Sequence, residues 1–181
     1  MNITDTITAL ITREGGYSNN QADKGGETIW GITVATARAF GYTGDMRAMS
    51  QQAARDIYAQ RYWRQPRFDD VALVSATVAE EMLDTGVNMG PATAGKFLQR
   101  ALNVLNQGDK TYPNISVDGA VGNMTIAALK AFLVARGTAG EVVLVRMLNA
   151  QQSVRYIELA EANTSQESFE YGWQLNRVGD I

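Results

Sequence analysis

One run in the middle of the chain limits the fold more than any other feature. From Asp69 or Asp70 onward, the apolar positions Val71, Leu73, Val74, Val78, Met82, Leu83 and Val87 cover most of a helical circumference. Such a helix cannot lie on a surface. It predicts a buried central helix, ended by Gly90-Pro91, with Pro91 suited to the first turn of the next helix. Cover is expected from Ile3, Ile7, Leu10 and Ile11 on one side and from Phe97, Leu98, Ala101 and Leu105 on another.

The flanking periodicities agree with a mainly α protein. Ile3, Ile7, Leu10 and Ile11 mark a first helix that Gly15-Gly16 stops. Thr33 caps a short helix ending at Gly41, and Ser50 caps another carrying Ala54, Ile57, Tyr58, Arg61 and Tyr62. Ala94 to Leu105 form the next, stopped at Gly108. Ile126 to Leu133 form another, ending near Gly137. Thr138 and Glu141 read as a capping box for a long helix through Ala160. Phe169 and Trp173 sit four apart in a last short helix. The polar, Gly-rich stretch from Ser18 to Gly31 breaks the pattern. Asp23-Lys24-Gly25-Gly26 reads as a turn and Thr28-Ile29-Trp30 as a short strand. The expected class is mainly α (α+β), with a small β-hairpin near the N-terminus.

Composition then removes whole chemistries. The 181 residues contain no Cys and no His. That excludes disulfides, thiol nucleophiles, Ser-His-Asp triads and His-ligated zinc. Proton transfer must rest on Asp, Glu, Lys or Tyr. The net charge of −3 gives no bulk grip on nucleic acid. No basic n-region precedes an apolar run, and no stretch reaches membrane-span length, so a cytoplasmic protein without membrane insertion is expected. Residues 1–90 carry 8 basic and 11 acidic side chains, against 8 of each in 91–181. The Arg55, Arg61, Arg64 and Arg67 run reads as a solvated helix face.

Glu14 stands at the end of the first helix, before Gly15-Gly16-Tyr17. There a carboxylate meets the negative end of the helix dipole, and packing on Tyr17 or Trp30 adds desolvation. Both raise a carboxyl pKa, as a general acid requires. Taken alone, position favours reading Glu14 as a surface residue before a glycine turn. Asp23 follows in a turn and Thr28 opens a strand; each is ordinary there. Together they set an acid, a second carboxylate and a hydroxyl around one loop. Two carboxyls flanking a cleft, one protonated and one ionised, hydrolyse glycosidic bonds.

Glu14-Gly15-Gly16-Tyr17-Ser18-Asn19-Asn20, Asp23, Gly25-Gly26, Thr28 and Trp30-Gly31-Ile32-Thr33 resemble the signature of glycoside hydrolase family 108. These are lysozyme-like N-acetylmuramidases of phage endolysins and prophages. Tyr62-Trp63 and Asp84-Thr85-Gly86-Val87-Asn88-Met89-Gly90 resemble the rest of that module. Asp118-Gly119-Ala120-Val121-Gly122, Thr125, Arg155-Tyr156, Phe169, Gly172-Trp173 and Arg177 resemble the predicted peptidoglycan-binding region that accompanies it.

The resemblance implies a lysozyme-like fold and cleavage of the β-1,4 bond between N-acetylmuramic acid and N-acetylglucosamine, lysing the cell. It implies Glu14 as catalytic acid. The Glu, Asp, Thr order also resembles the triad of classical phage lysozymes, although four residues, not their five, separate Asp23 from Thr28. Tyr17, Asn20, Trp30, Tyr62 and Asn88 are the candidate glycan-binding residues, offering ring faces and amides. Trp63 and Trp173 read as structural, Asp84 as satisfying a backbone group rather than performing catalysis, and Tyr112 and Asn114 as weak glycan candidates. No metal or organic cofactor is implied. Residues 1–90 are expected to form the muramidase region and 91–181 a helical peptidoglycan-binding-like region, packed as one compact unit. A monomer is expected, acting on glycan strands of the periplasmic wall. It would wait in the host cytoplasm for a holin-type exit route. The alternative is a non-catalytic wall-binding or secretion-associated protein. The missing His and Cys disfavour the usual amidases and peptidases.

Overall fold

The computed structural model describes residues 7–8, 11–12, 16–18 and 26–178. It divides into two compact units, Met1–Trp63 and Arg64–Ile181.

In the first unit the residues at 7–8 and 11–12 are helical, and Ile7 and Ile11 are buried. Ile3 and Leu10 lie outside the described residues. Two short strands, β1 (Thr28–Ile29) and β2 (Ile32–Thr33), pair antiparallel with Thr28 opposite Thr33. Thr33 ends β2 and caps α1 (Val34–Ala39), its side chain accepting from the Thr36 N–H. A 3₁₀ turn, Met46–Ala48, precedes α2 (Gln51–Ala59), which Ser50 caps through the Ala53 N–H. Each such cap is worth about 1 kcal/mol. Ala54, Ile57 and Tyr58 fall at helical spacing and are buried with Ile7, Ile11, Ile29, Ile32, Ala37, Met46 and Met49. This cluster is the unit's core. After α2 the chain widens into a π-turn, Gln60–Arg64.

The second unit is helical. The apolar run does not form one helix. It forms α3 (Phe68–Ala72) and α4 (Ala76–Met89). Ser75 makes the break: its Oγ accepts from the Val78 N–H and donates to Glu141. Leu73, counted as core from its apolarity, sits at the corner and is 85% exposed. α4 is still the buried helix, with Val78, Ala79, Met82 and Leu83 sealed from solvent. It packs on α3, on α5 (Pro91–Leu105) and on α6 (Asn123–Ala162). Pro91 opens α5 as expected. Phe97, Leu98 and Ala101 of α5 are buried. α6 is two helices joined at a kink, with Gly137 at φ 57°, ψ −153°. Past that kink Glu141 reaches Ser75 of the α3–α4 corner. α7 (Glu167–Arg177) packs back on α6. Among the described residues no helix is long and apolar enough to cross a membrane.

Candidate active site

The hairpin carries two of the candidate site residues, Thr28 on β1 and Trp30 in the turn. Its turn is Trp30-Gly31, with φ 54° and 71°. Two successive positive φ values define the I′ turn that matches strand twist. Glycine adopts this freely; tryptophan does not. The strand expected to include Trp30 therefore ends at Ile29, and Trp30 occupies a conformation costing of order 1–3 kcal/mol. Two contacts hold it. Its Nε1 donates to the Met49 carbonyl at 3.0 Å, and Tyr58 OH donates to the Trp30 carbonyl at 3.3 Å. The ring packs half-buried against the core.

Beside β1 runs the segment that follows Gly16. Ser18 and Thr28 exchange both backbone hydrogen bonds at 2.8 Å. This bridge fixes Tyr17 next to the hairpin. Tyr17 OH donates to Glu27 Oε1 at 3.0 Å, and the Arg47 guanidinium lies 4.8 Å over the Tyr17 ring. Thr28 Oγ1 reaches the Gly26 carbonyl at only 3.4 Å. So long a bond is weak and leaves the hydroxyl largely uncommitted.

Tyr62 lies on the π-turn. Its ring is 5.5 Å from Tyr58, and Arg61 covers it at 5.1 Å. Arg61 Nη1 also donates to Thr36 Oγ1 at 2.9 Å, tying the turn to the start of α1. Tyr17, Trp30 and Tyr62 thus all pack on the outside of one core. Asn88 is in the other unit, exposed on α4, where its Nδ2 donates to the Asp84 carbonyl at 2.8 Å. Glu14, Asn20 and Asp23 lie outside the described residues.

Sequence reasoning passed over Glu27, Arg47 and Glu81. Glu27 precedes Thr28 and is half-buried; its adjacency was visible, its bond to Tyr17 was not. Glu81 lies on α4, and burial pushes its carboxyl up to about 7, with the charge of Asp84 adding to the shift and the Thr85 hydroxyl opposing it. Asp84 itself accepts from Arg177, Gln152 and Asn88. Its partners are side chains of three other positions rather than the backbone group expected from the sequence. Trp173 stacks between Tyr156 at 4.9 Å and Phe169 at 5.9 Å.

Residues 7–90 match the family model of glycosyl hydrolase 108, and residues 93–178 match that of a predicted peptidoglycan domain. The fold is similar to the solved structure of Brucella abortus SagA, with a TM-score of 0.60 and 25% sequence identity over 98% of this chain and 96% of that one. No curated protein sequence matches the chain. Between them the two models span both compact units, and the small hairpin in a helical setting agrees with a lysozyme-like α+β fold. The first half of the chain is thus a glycosyl hydrolase 108 domain and the second half a predicted peptidoglycan domain, and the protein is a glycoside hydrolase acting on peptidoglycan.

Proposed function

We propose that the chain is an endolysin of phage or prophage origin, using Glu14, Asp23 and Thr28 to cleave the β-1,4 bond between N-acetylmuramic acid and N-acetylglucosamine. Glu14 donates its proton to the glycosidic oxygen as the bond to C1 breaks. Asp23 stabilises the positive charge developing at C1, or holds the incoming water. Thr28 orients that water, whose hydroxyl goes to C1 while its proton is taken up by a carboxylate. Tyr17, Asn20, Trp30, Tyr62 and Asn88 are the proposed glycan contacts. The protein works as a monomer on the periplasmic face of the wall, after a holin-type route releases it from the host cytoplasm.

The observation that carries this reading is the Ser18–Thr28 bridge. It ties the segment that follows Glu14 in the sequence to the strand bearing Thr28, whose hydroxyl is only weakly engaged. The same bridge brings Tyr17 beside the strained Trp30 turn. Residues 1–90 are the proposed catalytic region and 91–181 the proposed wall-binding region. The packing of α4, from the first region, on α5 and α6 of the second supports a junction at residue 90 without a tether.

The test is mass analysis of products from purified peptidoglycan. New reducing N-acetylmuramic ends are expected. Glu14→Gln should remain folded and lose activity by about 10²–10⁴-fold, the usual worth of acid catalysis. Products cut in the peptide, or a well-folded Glu14→Gln enzyme of near wild-type rate, would refute the assignment.

A further inference from the structure

The connection between α5 and α6 has no strand or helix, yet it is held rigidly. Three amides of α5 and its C-terminal end do this. Gln99, 1% exposed, donates to Asp118 Oδ1 at 2.9 Å and to the Ala120 carbonyl at 3.0 Å, and its Oε1 accepts from the Gly119 N–H at 2.8 Å. Asn103 takes both backbone groups of Ile115 at 2.8 Å. Asn106 accepts from the N–H groups of Gly108 and Asp109 and donates to Asn114. Gly95 of α5 lies so near Gly119 that a Cβ there would collide with the Gly119 carbonyl. The buried polar groups are satisfied within the loop's own supports, so its outer face is preorganised.

That face forms one wall of a cavity of about 460 Å³ whose polar lining includes Arg67, Asn114, Ser116, Asp118 and Asn123, with Met124 as an apolar patch. The cavity lies wholly in the second unit. Two features describe its preferred occupant. First, it offers both signs of charge. Arg67, in the left-handed region at φ 62°, uses Nε on Asp70 at 2.7 Å and Nη2 on Asn123 at 3.0 Å, and Nη1 carries two further donors. Asp118 is anchored through Oδ1 by Gln99 and by the Ala120 N–H, which hold its carboxyl below the usual range. Second, none of the lining residues is aromatic. A sugar ring would find no flat face to stack on. A short peptide with a free carboxylate and a free amine would find a guanidinium, a carboxylate and amides between them.

We propose that this cavity binds the peptide stem of peptidoglycan, through its carboxylate at Arg67 and its amine at Asp118. This rests on the reading of peptidoglycan as substrate. It separates two tasks: the hairpin unit addresses the glycan, and the α5–α6 loop addresses the peptide. Arg67 belongs to the segment matched by the hydrolase model, and Asp118 to the segment matched by the peptidoglycan model. The subsite is therefore complete only when both are present.

The test is calorimetric titration of the full chain with a synthetic stem tripeptide bearing a diamino acid at its third position, beside a chito-oligosaccharide. The full chain should bind the tripeptide saturably. Ser116→Trp fills the cavity from an exposed position, and Arg67→Gln removes the charge while keeping an amide. Either should weaken tripeptide binding by about tenfold or more, the worth of a charge-assisted bond. Ser116→Trp should raise KM on whole sacculi and leave turnover of stem-free glycan strands unchanged. No saturable tripeptide binding, or equal affinity in wild type and Arg67→Gln, would overturn the proposal, as would a cavity that takes the oligosaccharide with the greater affinity. Loss of glycan hydrolysis with tripeptide binding intact would instead refute the hydrolase reading, so the two failures are distinct.

Discussion

Arg177 donates from Nη1 to Asp84 Oδ1 at 2.9 Å, across 93 positions of sequence. The pair joins α7 to α4, with the side chains 13% and 31% exposed. The other carboxylate oxygen accepts from Gln152 at 2.9 Å and from Asn88 at 3.3 Å. Alongside, Trp173 lies stacked between Tyr156 and Phe169. A short helix with no fully buried residue of its own is thus fixed by an ion pair, an aromatic stack and the two hydrogen bonds between Gln174 and Ser153.

Arg177→Ala should therefore destabilise the protein by about 2 kcal/mol, since it leaves a partly buried carboxylate short of its charged partner. Urea unfolding measures this. In a double-mutant cycle with Asp84→Asn, the two losses should fall well short of additive. Full additivity would show that the two side chains do not act on each other.

The neighbouring Glu81 gives stability a pH dependence of defined sign. Its folded pKa is raised from 4.5 to about 7. Between those values the unfolded chain has released a proton that the folded protein keeps. Stability must fall as pH rises through that window and level off above it. The penalty at pH 8 is roughly 3 kcal/mol. Glu81→Gln should melt higher than wild type at pH 8 and equally at pH 4. A difference that is the same at both pH values would mean that Glu81 ionises normally.

The sequence features that proved readable are those whose physics is local. Thr33 and Ser50 cap helices through N–H groups three residues ahead, and Pro91 needs only its own ring to start α5. The misreadings have distant causes. Trp30 tolerates a positive φ because Met49 and Tyr58, 19 and 28 residues away, hold it. The apolar run breaks at Ser75, whose hydroxyl meets Glu141 66 residues later. Tyr112 was read as a weak glycan candidate from its loop. It is buried, and its OH donates to the Leu102 carbonyl at 2.8 Å. The site divides in the same way. Tyr17, Trp30 and Tyr62 can be named from the sequence, but their packing on one core cannot. The Tyr17–Glu27 bond and the Asp84–Arg177 pair depend on tertiary packing that no spacing encodes.

The three proposed catalytic groups should differ in sensitivity. Asp23→Ala removes a charge and should be severely impaired. Thr28→Ala should be milder, because a water can take the place of a hydroxyl so weakly bonded to Gly26. Initial rates of turbidity loss on permeabilised Gram-negative cells rank them. Full activity in Asp23→Ala would remove that residue from the mechanism whatever Thr28→Ala shows.

Activity should also survive dialysis against EDTA at constant ionic strength. The chain has no His and no Cys, so a conventional zinc site has no ligands. Loss of rate that returns on adding zinc would point instead to an all-oxygen site.

The position of α4 decides where the chain can be cut. The family models meet between residues 90 and 93, whereas the compact units meet between Trp63 and Arg64. A cut at 90 separates α4 from α5 and α6, its neighbours on two sides. Val78, Ala79, Met82 and Leu83, at most 1% exposed, would then face water. Exposing a Val, Met or Leu side chain costs about 1.5–3 kcal/mol. Three of them approach the whole stability of a typical domain, roughly 5–15 kcal/mol. Residues 1–90 should therefore aggregate or stay partly unfolded, and should not lyse cells. Residues 91–181 should fail as well, because α5 and α6 lose the helix they enclose. Residues 64–181 keep α3 through α7 together and should melt in one cooperative transition. Far-UV circular dichroism of the three fragments tests this. A 91–181 fragment that is folded and melts at the temperature of the 64–181 fragment would show that α4 is dispensable to this core.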